Sequence, residues 1–435
     1  MSPTLVRAMG RWSLAALVLN SVIGSSVFGL PSVIAGKLGG ASPWAWLLAA
    51  LGIGVIVACF AEVASRFGEA GGPYLYARVA FGRLAGIEMG WLAYLVRLTA
   101  SATNANLFVI YFAELWPGAE GPVASRLLLA ALLVPLVAIN YRGVTHGARM
   151  STVLIAAKLI PLALFVMVGV EFALRHPVEF ASAQGTSTHP WLDSILLLVF
   201  AYGGFEAALV PLGEARNPER DAPFALFLTL GVCAVLYGLV QVVVLAALAD
   251  PAAAPRPLAA AARVFLGGPG ALLMTGAALL SVSGYLAGGM VNVPRLTFAM
   301  AERNDLPAIF GRIHPRFRTP YVSVVVYAVL VWLLAASGGF LQNLTLSAVS
   351  RLLTYGLVCA ALPVFRARDG QARNDAPQPA RFRLPAGTTW AVLGVAFSLT
   401  LTTRMSFQEM RVLSATLVLG MVHWLWVRRA AREPK

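Results

Sequence analysis

The sequence runs to 435 residues, 59% of them hydrophobic and only 12% charged, with a formal net charge of +14. No water-soluble fold needs so much apolar material, so lipid is the solvent for most of this chain. The positive charge does not point to nucleic acid, because it is sorted by position along the chain rather than gathered on one stretch.

Apolar runs of span length, roughly 20 residues each, fall in chain order at about 13–36, 43–65, 84–113, 126–141, 149–170 and 191–213. They continue at about 223–249, 270–300, 320–336, 341–365, 386–404 and 408–427. The pattern predicts an all-α polytopic membrane protein of about 12 transmembrane helices, forming a single integral-membrane domain over residues 1–435. The first run has span length and no small-residue cleavage site, so it is expected to stay as a helix. Assigning alternate loops to opposite sides puts 22 of the 33 Lys and Arg on the side of both termini and seven on the other. Arg97, Lys158, Arg295 and Arg351 fall within spans. This positive-inside bias predicts a multi-pass cell-membrane protein, in the inner or cytoplasmic membrane, with both termini cytoplasmic.

Within the first span the stretch GSSVFGLP, residues 24–31, interrupts a helical pattern with two glycines, two serines and a proline. Unpaired backbone groups are tolerated at membrane depth only where they face protein or a watery cavity. N–H groups around Ser25 to Val27 suit an anion, and carbonyls near Val22 and Ile23 suit a cation. A second interruption, Gly203 and Gly204 followed by Glu206, sits in the sixth span. Broken helices at the first and sixth places imply a five-plus-five inverted repeat, repeat one at about 13–170 and repeat two at about 191–365, with additional helices at about 386–427.

The fifth span carries Lys158, at a cost of at least about 2.5 kcal/mol for a cation near the bilayer centre. Snorkelling, a fixed structural charge and a proton carrier are its three readings. Glu206 either caps exposed N–H groups, carries a proton or gates the route. Arg97 and Arg351 either face an aqueous route, pair with Glu62, Glu88 or Glu206, or snorkel outward, and an arginine near a pocket favours an acidic substrate.

Other chemistries find no pattern. The five histidines lie near loops or span ends with no two at i, i+4, so no metal site is expected. GLPSVIAGKL has the wrong spacing for a phosphate-binding loop, and no G-x-S-x-G elbow occurs. Cys59, Cys233 and Cys359 fall inside spans and read as small core residues. No catalytic residue, cofactor or nucleic-acid partner is expected.

The stretches NSVIGSSVFGLPSVIAGKLGGASPWAW, CFAEVASRFGEAGGPYLYARVAFG, GWLAYLVRLTASATNANLF, FAYGGFEAALVPLGEARNPERDAP and RLTFAMAERNDLPAIFGRIHPRFRTP resemble amino acid permeases of the amino acid, polyamine and organocation superfamily. The resemblance covers about residues 12–365. It implies a secondary transporter whose first-span break binds the substrate carboxylate, here through Gly24, Ser25 and Ser26. Ser26 stands where the family usually has a second glycine, which narrows the site. By the same resemblance, carbonyls of Ile23, Phe200, Ala201 and Tyr202 hold the α-amino group, Phe200 or Tyr202 closes over it, and Gly203 and Glu206 complete the site. Lys158 matches a fifth-span lysine that replaces sodium in sodium-independent members, with Ser283 as a neighbour in the coupling region. The expected function is α-amino acid transport by proton symport or amino acid exchange. The alternatives are a polyamine or organic cation transporter of the same fold, a channel, or a membrane-embedded enzyme. The expected partners are a small-molecule amino acid and the lipid bilayer.

Overall fold

Lipid offers the backbone no hydrogen bonds, so the chain closes them within helices. The computed structural model describes residues 9–68, 71–142, 147–176, 188–210, 212, 215–302, 305–369 and 379–430. Among them there is no strand, only an isolated bridge between Met9 and Ala215. The helices are α1 (Arg11–Val22), α2 (Ser26–Leu38), α3 (Ser42–Ala64), α4 (Gly72–Phe81), α5 (Arg83–Phe112), α6 (Pro122–Arg142), α7 (Gly147–Arg175) and α8 (Thr188–Tyr202). There follow α9 (Phe205–Ala208), α10 (Pro218–Ala247), α11 (Pro257–Glu302), α12 (Tyr321–Ser337), α13 (Phe340–Ala367), α14 (Gly387–Thr402) and α15 (Phe407–Ala430).

A helix, or a helix pair, underlies each apolar run expected from the sequence. By length and composition alone, eight stretches among the described residues are long and apolar enough to cross a bilayer, and α12 and α14 are shorter apolar helices. The first run is split, α1 ending at Val22 and α2 beginning at Ser26, and the sixth is split between Tyr202 and Phe205. Two features lie outside the expected pattern. Helix α4 is too short and too polar to read as a span, and α11 begins well before residue 270 because a kink at Gly267 (φ 68°) joins a preceding helical segment to it.

Burial sorts the helices into layers. The stretches over α2 and α3, over α8 and α9, and along α13 are mostly buried, whereas α6, α7 from residue 156 onward and α15 bury few of their residues. Val123, Leu127 and Val134 on α6 and Val418, Leu419 and Val422 on α15 face outward. An outward apolar face is what a helix presents to acyl chains. Inside, α1 packs on α10, α2 on α8, and α13 on α5, α8 and α14. The broken helices therefore sit at the centre, where their freed backbone groups meet protein.

Charged clusters close both ends. On the face of residue 9, Glu62 accepts from Arg366 Nε at 2.8 Å, from Arg66 at 3.2 Å and from the Leu384 N–H at 2.8 Å, while Arg66 reaches Asp369 at 2.6 Å. On the same face Asp305 takes the Tyr74 hydroxyl at 2.6 Å, Arg78 and Arg83. On the opposite face Glu114 pairs with Arg256 at 2.9 Å and with Arg263.

Candidate functional site

The site begins at the end of α1. Ile23 leaves the helical region (φ −74°, ψ 95°), which turns the chain out of α1 before Ser26 starts α2. The carbonyls freed by this turn meet a cation: Lys158 Nζ, carried by α7 and almost fully buried, donates to Ile23 O at 2.6 Å and to Asn20 O at 2.9 Å. The ammonium therefore ties the middle of α7 to the C-terminal end of α1, where the helix dipole is negative. Ser283 on α11 is half-buried and makes no hydrogen bond to Lys158 among the described residues.

Beyond the turn, Gly24, Ser25 and Ser26 are buried at the start of α2. The Ser26 hydroxyl lies against the Tyr237 phenol. The Ser25 hydroxyl is buried with no hydrogen-bond partner among the described residues. Beside Gly24 stand two further side chains: a Cβ built there would lie 3.5 Å from Asn104 Oδ1 and 3.5 Å from the Tyr285 ring. Asn104 spends its amide N–H on Ala100 O at 2.8 Å, which leaves its buried Oδ1 facing the break without a donor.

The second break crosses the first at close range. Gly204 takes φ 113°, a left-handed conformation, and a Cβ there would lie 2.3 Å from the Ser21 carbonyl of α1. At Gly203 a Cβ would lie 1.9 Å from Arg351 Nη1. Gly204 is thus demanded by the backbone that approaches it, whereas at Gly203 a side chain would have to displace the Arg351 guanidinium. Glu206 folds back so that Oε2 accepts from the Gly204 N–H at 2.8 Å and from the Tyr355 hydroxyl at 2.9 Å. Its Oε1 takes Arg97 at 3.3 Å and lies 3.6 Å from Arg351 Nε. Of the pairings open to Arg97 and Arg351 from sequence, Glu206 is the one both make.

Arg351, on α13 and 2% exposed, donates from Nη1 to the Phe200 carbonyl at 3.0 Å and lies 5.1 Å above the Phe200 ring centroid. Its Nε is buried without a hydrogen bond, and the Tyr285 phenol approaches the guanidinium without a well-formed one. Ala201 is fully buried. Tyr202 is turned away from the guanidinium: its hydroxyl donates to Trp46 O at 3.1 Å and its ring packs against Trp46 and Tyr237. So the structure gathers Ile23, Gly24, Ser25, Phe200, Gly203 and Glu206 around the two breaks and adds Arg351, Arg97, Asn104, Tyr285 and Tyr355. Of the latter, Asn104, Tyr285 and Tyr355 were not singled out by sequence reasoning. The signal was a polar side chain in mid-span, which is rare in lipid and usually faces a cavity or the bundle interior.

A pair of helices broken at the centre of an apolar bundle, with buried polar groups left without hydrogen-bond partners beside the breaks, is the architecture of a membrane transporter rather than of an enzyme. Comparison with known proteins agrees: residues 9–422 match the family model described as amino acid permease. The chain belongs to the amino acid permease family. It is 30% identical over 85% of its length to an uncharacterized transporter of Mycobacterium tuberculosis, covering 83% of that protein. It is 26% identical to the methylthioribose transporter of Bacillus subtilis, over 88% of this chain and 85% of the other. With the serine/threonine exchanger of Bacillus subtilis it shares 27% identity, over 71% and 72% of the two chains.

Proposed function

We propose that the protein is a sodium-independent secondary transporter of α-amino acids in the cytoplasmic membrane, working by alternating access. On this reading its twelve crossings comprise a five-plus-five inverted repeat and two further helices, with both termini cytoplasmic. The substrate lies between the two breaks, its carboxylate on the N–H groups of Gly24, Ser25 and Ser26.

The observation that carries the reading is the Lys158 ammonium seated on the Asn20 and Ile23 carbonyls. Carbonyl oxygens at the end of a half-helix are a natural site for a small cation. With an ammonium on both, a sodium ion there would have to displace it. The coupling partner is then a proton or a second amino acid. Exchange is the mode named for the serine/threonine relative.

The polyamine alternative is disfavoured by charge. Arg351 and Arg97 share one carboxylate at the break, and Lys158 stands close by, so a dication would enter against like charge.

The test is amino acid uptake by proteoliposomes with sodium replaced by choline on both sides. Unaltered uptake is expected. A steep sodium requirement would overturn the assignment of Lys158.

A further inference from the structure

The charges at the break do not balance. Glu206 is the one carboxylate that Arg97 and Arg351 contact among the described residues, and it also accepts from Tyr355 and the Gly204 N–H. Two guanidiniums therefore share one carboxylate that is already fully engaged, and among the described residues Lys158 hydrogen-bonds to two carbonyls and to no carboxylate. An arginine stays protonated in a protein. An excess positive charge held away from water is costly unless something anionic meets it.

The unspent hydrogen bonds point the same way. Arg351 has five N–H donors, and among the described residues one of them makes a hydrogen bond of normal geometry, to Phe200 O. Its Nε is buried with no hydrogen bond, lying 3.6 Å from Glu206 Oε1, and the Ser25 hydroxyl, the Tyr285 hydroxyl and Asn104 Oδ1 are buried without a hydrogen-bond partner among the described residues. Asn104 and Tyr285 both border Gly24, the chain neighbour of Ser25, and the Tyr285 phenol borders the guanidinium. Buried polar groups in native structures are nearly always satisfied. A ligand that satisfied these would bring several acceptor oxygens for the serine, phenol and guanidinium, and one donor for Asn104 Oδ1.

We infer that the substrate is an acidic α-amino acid, a dicarboxylate of net charge −1, whose side-chain carboxylate pairs with Arg351 of α13. This inference rests on the transporter reading above. The α-carboxylate takes the N–H groups of Gly24 to Ser26 and the ammonium takes Asn104 Oδ1. The second carboxylate, one tyrosine ring further along, takes the guanidinium. Arg351 is then a specificity residue: it selects the charged side chain over its amide. Gly203 is what lets that guanidinium approach the broken backbone, since any side chain there would overlap Nη1.

The test is counterflow in proteoliposomes containing the full chain, with glutamate and aspartate set against their amide isosteres glutamine and asparagine. The wild type is expected to prefer at least one acid over its amide by ~100-fold in kcat/KM, the scale set by leaving a buried charged group unpaired. Arg351→Gln is expected to lose most of that ratio, and Arg351→Lys to recover part of it. Preference for neutral or basic amino acids in the wild type overturns the inference and leaves the transporter reading standing. So does an acid-to-amide ratio unchanged in Arg351→Gln. The wild-type ratio needs no variant to fold. If none of the twenty amino acids shows counterflow in folded, reconstituted protein, both the inference and the amino acid transport reading fall.

Discussion

Gly204 shows how much one residue carries at this site. Its positive φ and the 2.3 Å between its hypothetical Cβ and the Ser21 carbonyl mean that the two broken helices touch through bare backbone. Gly204→Ala adds both strain and overlap, each on the order of 1–3 kcal/mol, and is expected to lower the melting temperature and abolish uptake. A variant with wild-type melting and transport would show that the helices do not meet there. At this scale the sequence was half legible. The double glycine announced a break because glycine is the residue that pays least for unusual φ, and Lys158 announced itself by its cost in lipid. Which partner each charge would choose was not legible. Arg351 and Glu206 lie on different helices far apart in the chain, and no periodicity within one helix encodes a contact between two.

Elements add the closures. On the face of residue 9, α3 and α13 are held by Glu62, which is fully buried and accepts from Arg66, Arg366 and the Leu384 backbone. Arg66 also bonds Asp369 just past α13, and that hydrogen bond holds the Asp369 carboxyl below the usual aspartate range. A carboxyl so lowered contributes its full share above the ordinary aspartate value and loses it only as pH falls through the lowered one. The latch is therefore intact throughout the neutral range. Glu62→Gln removes the charge that Arg66 and Arg366 share and is expected to destabilise the protein by ~3 kcal/mol, read as a fall in melting temperature at constant lipid. An unchanged melting temperature would mean the cluster is idle. Helix α4, which delivers Tyr74 and Arg78 to Asp305 in this closure, was hidden in the sequence: it is ten residues long, opens with Gly-Pro and has no span-length apolar run to betray it. The apolar runs themselves were legible because lipid penalises a polar residue at every turn.

For the whole molecule, the account is a bundle whose outer helices face lipid and whose centre holds two interrupted helices crossing at Ser21 and Gly204. Ion-pair clusters lie at both ends of the bundle. The most direct measurement is a density map of the protein in nanodiscs with bound amino acid. The account predicts ligand density between residues 23–26 and residues 200–206, bordered by Asn104, Tyr285 and Arg351. Density for the amino acid elsewhere, with residues 23–26 running as unbroken helix against lipid, would contradict it.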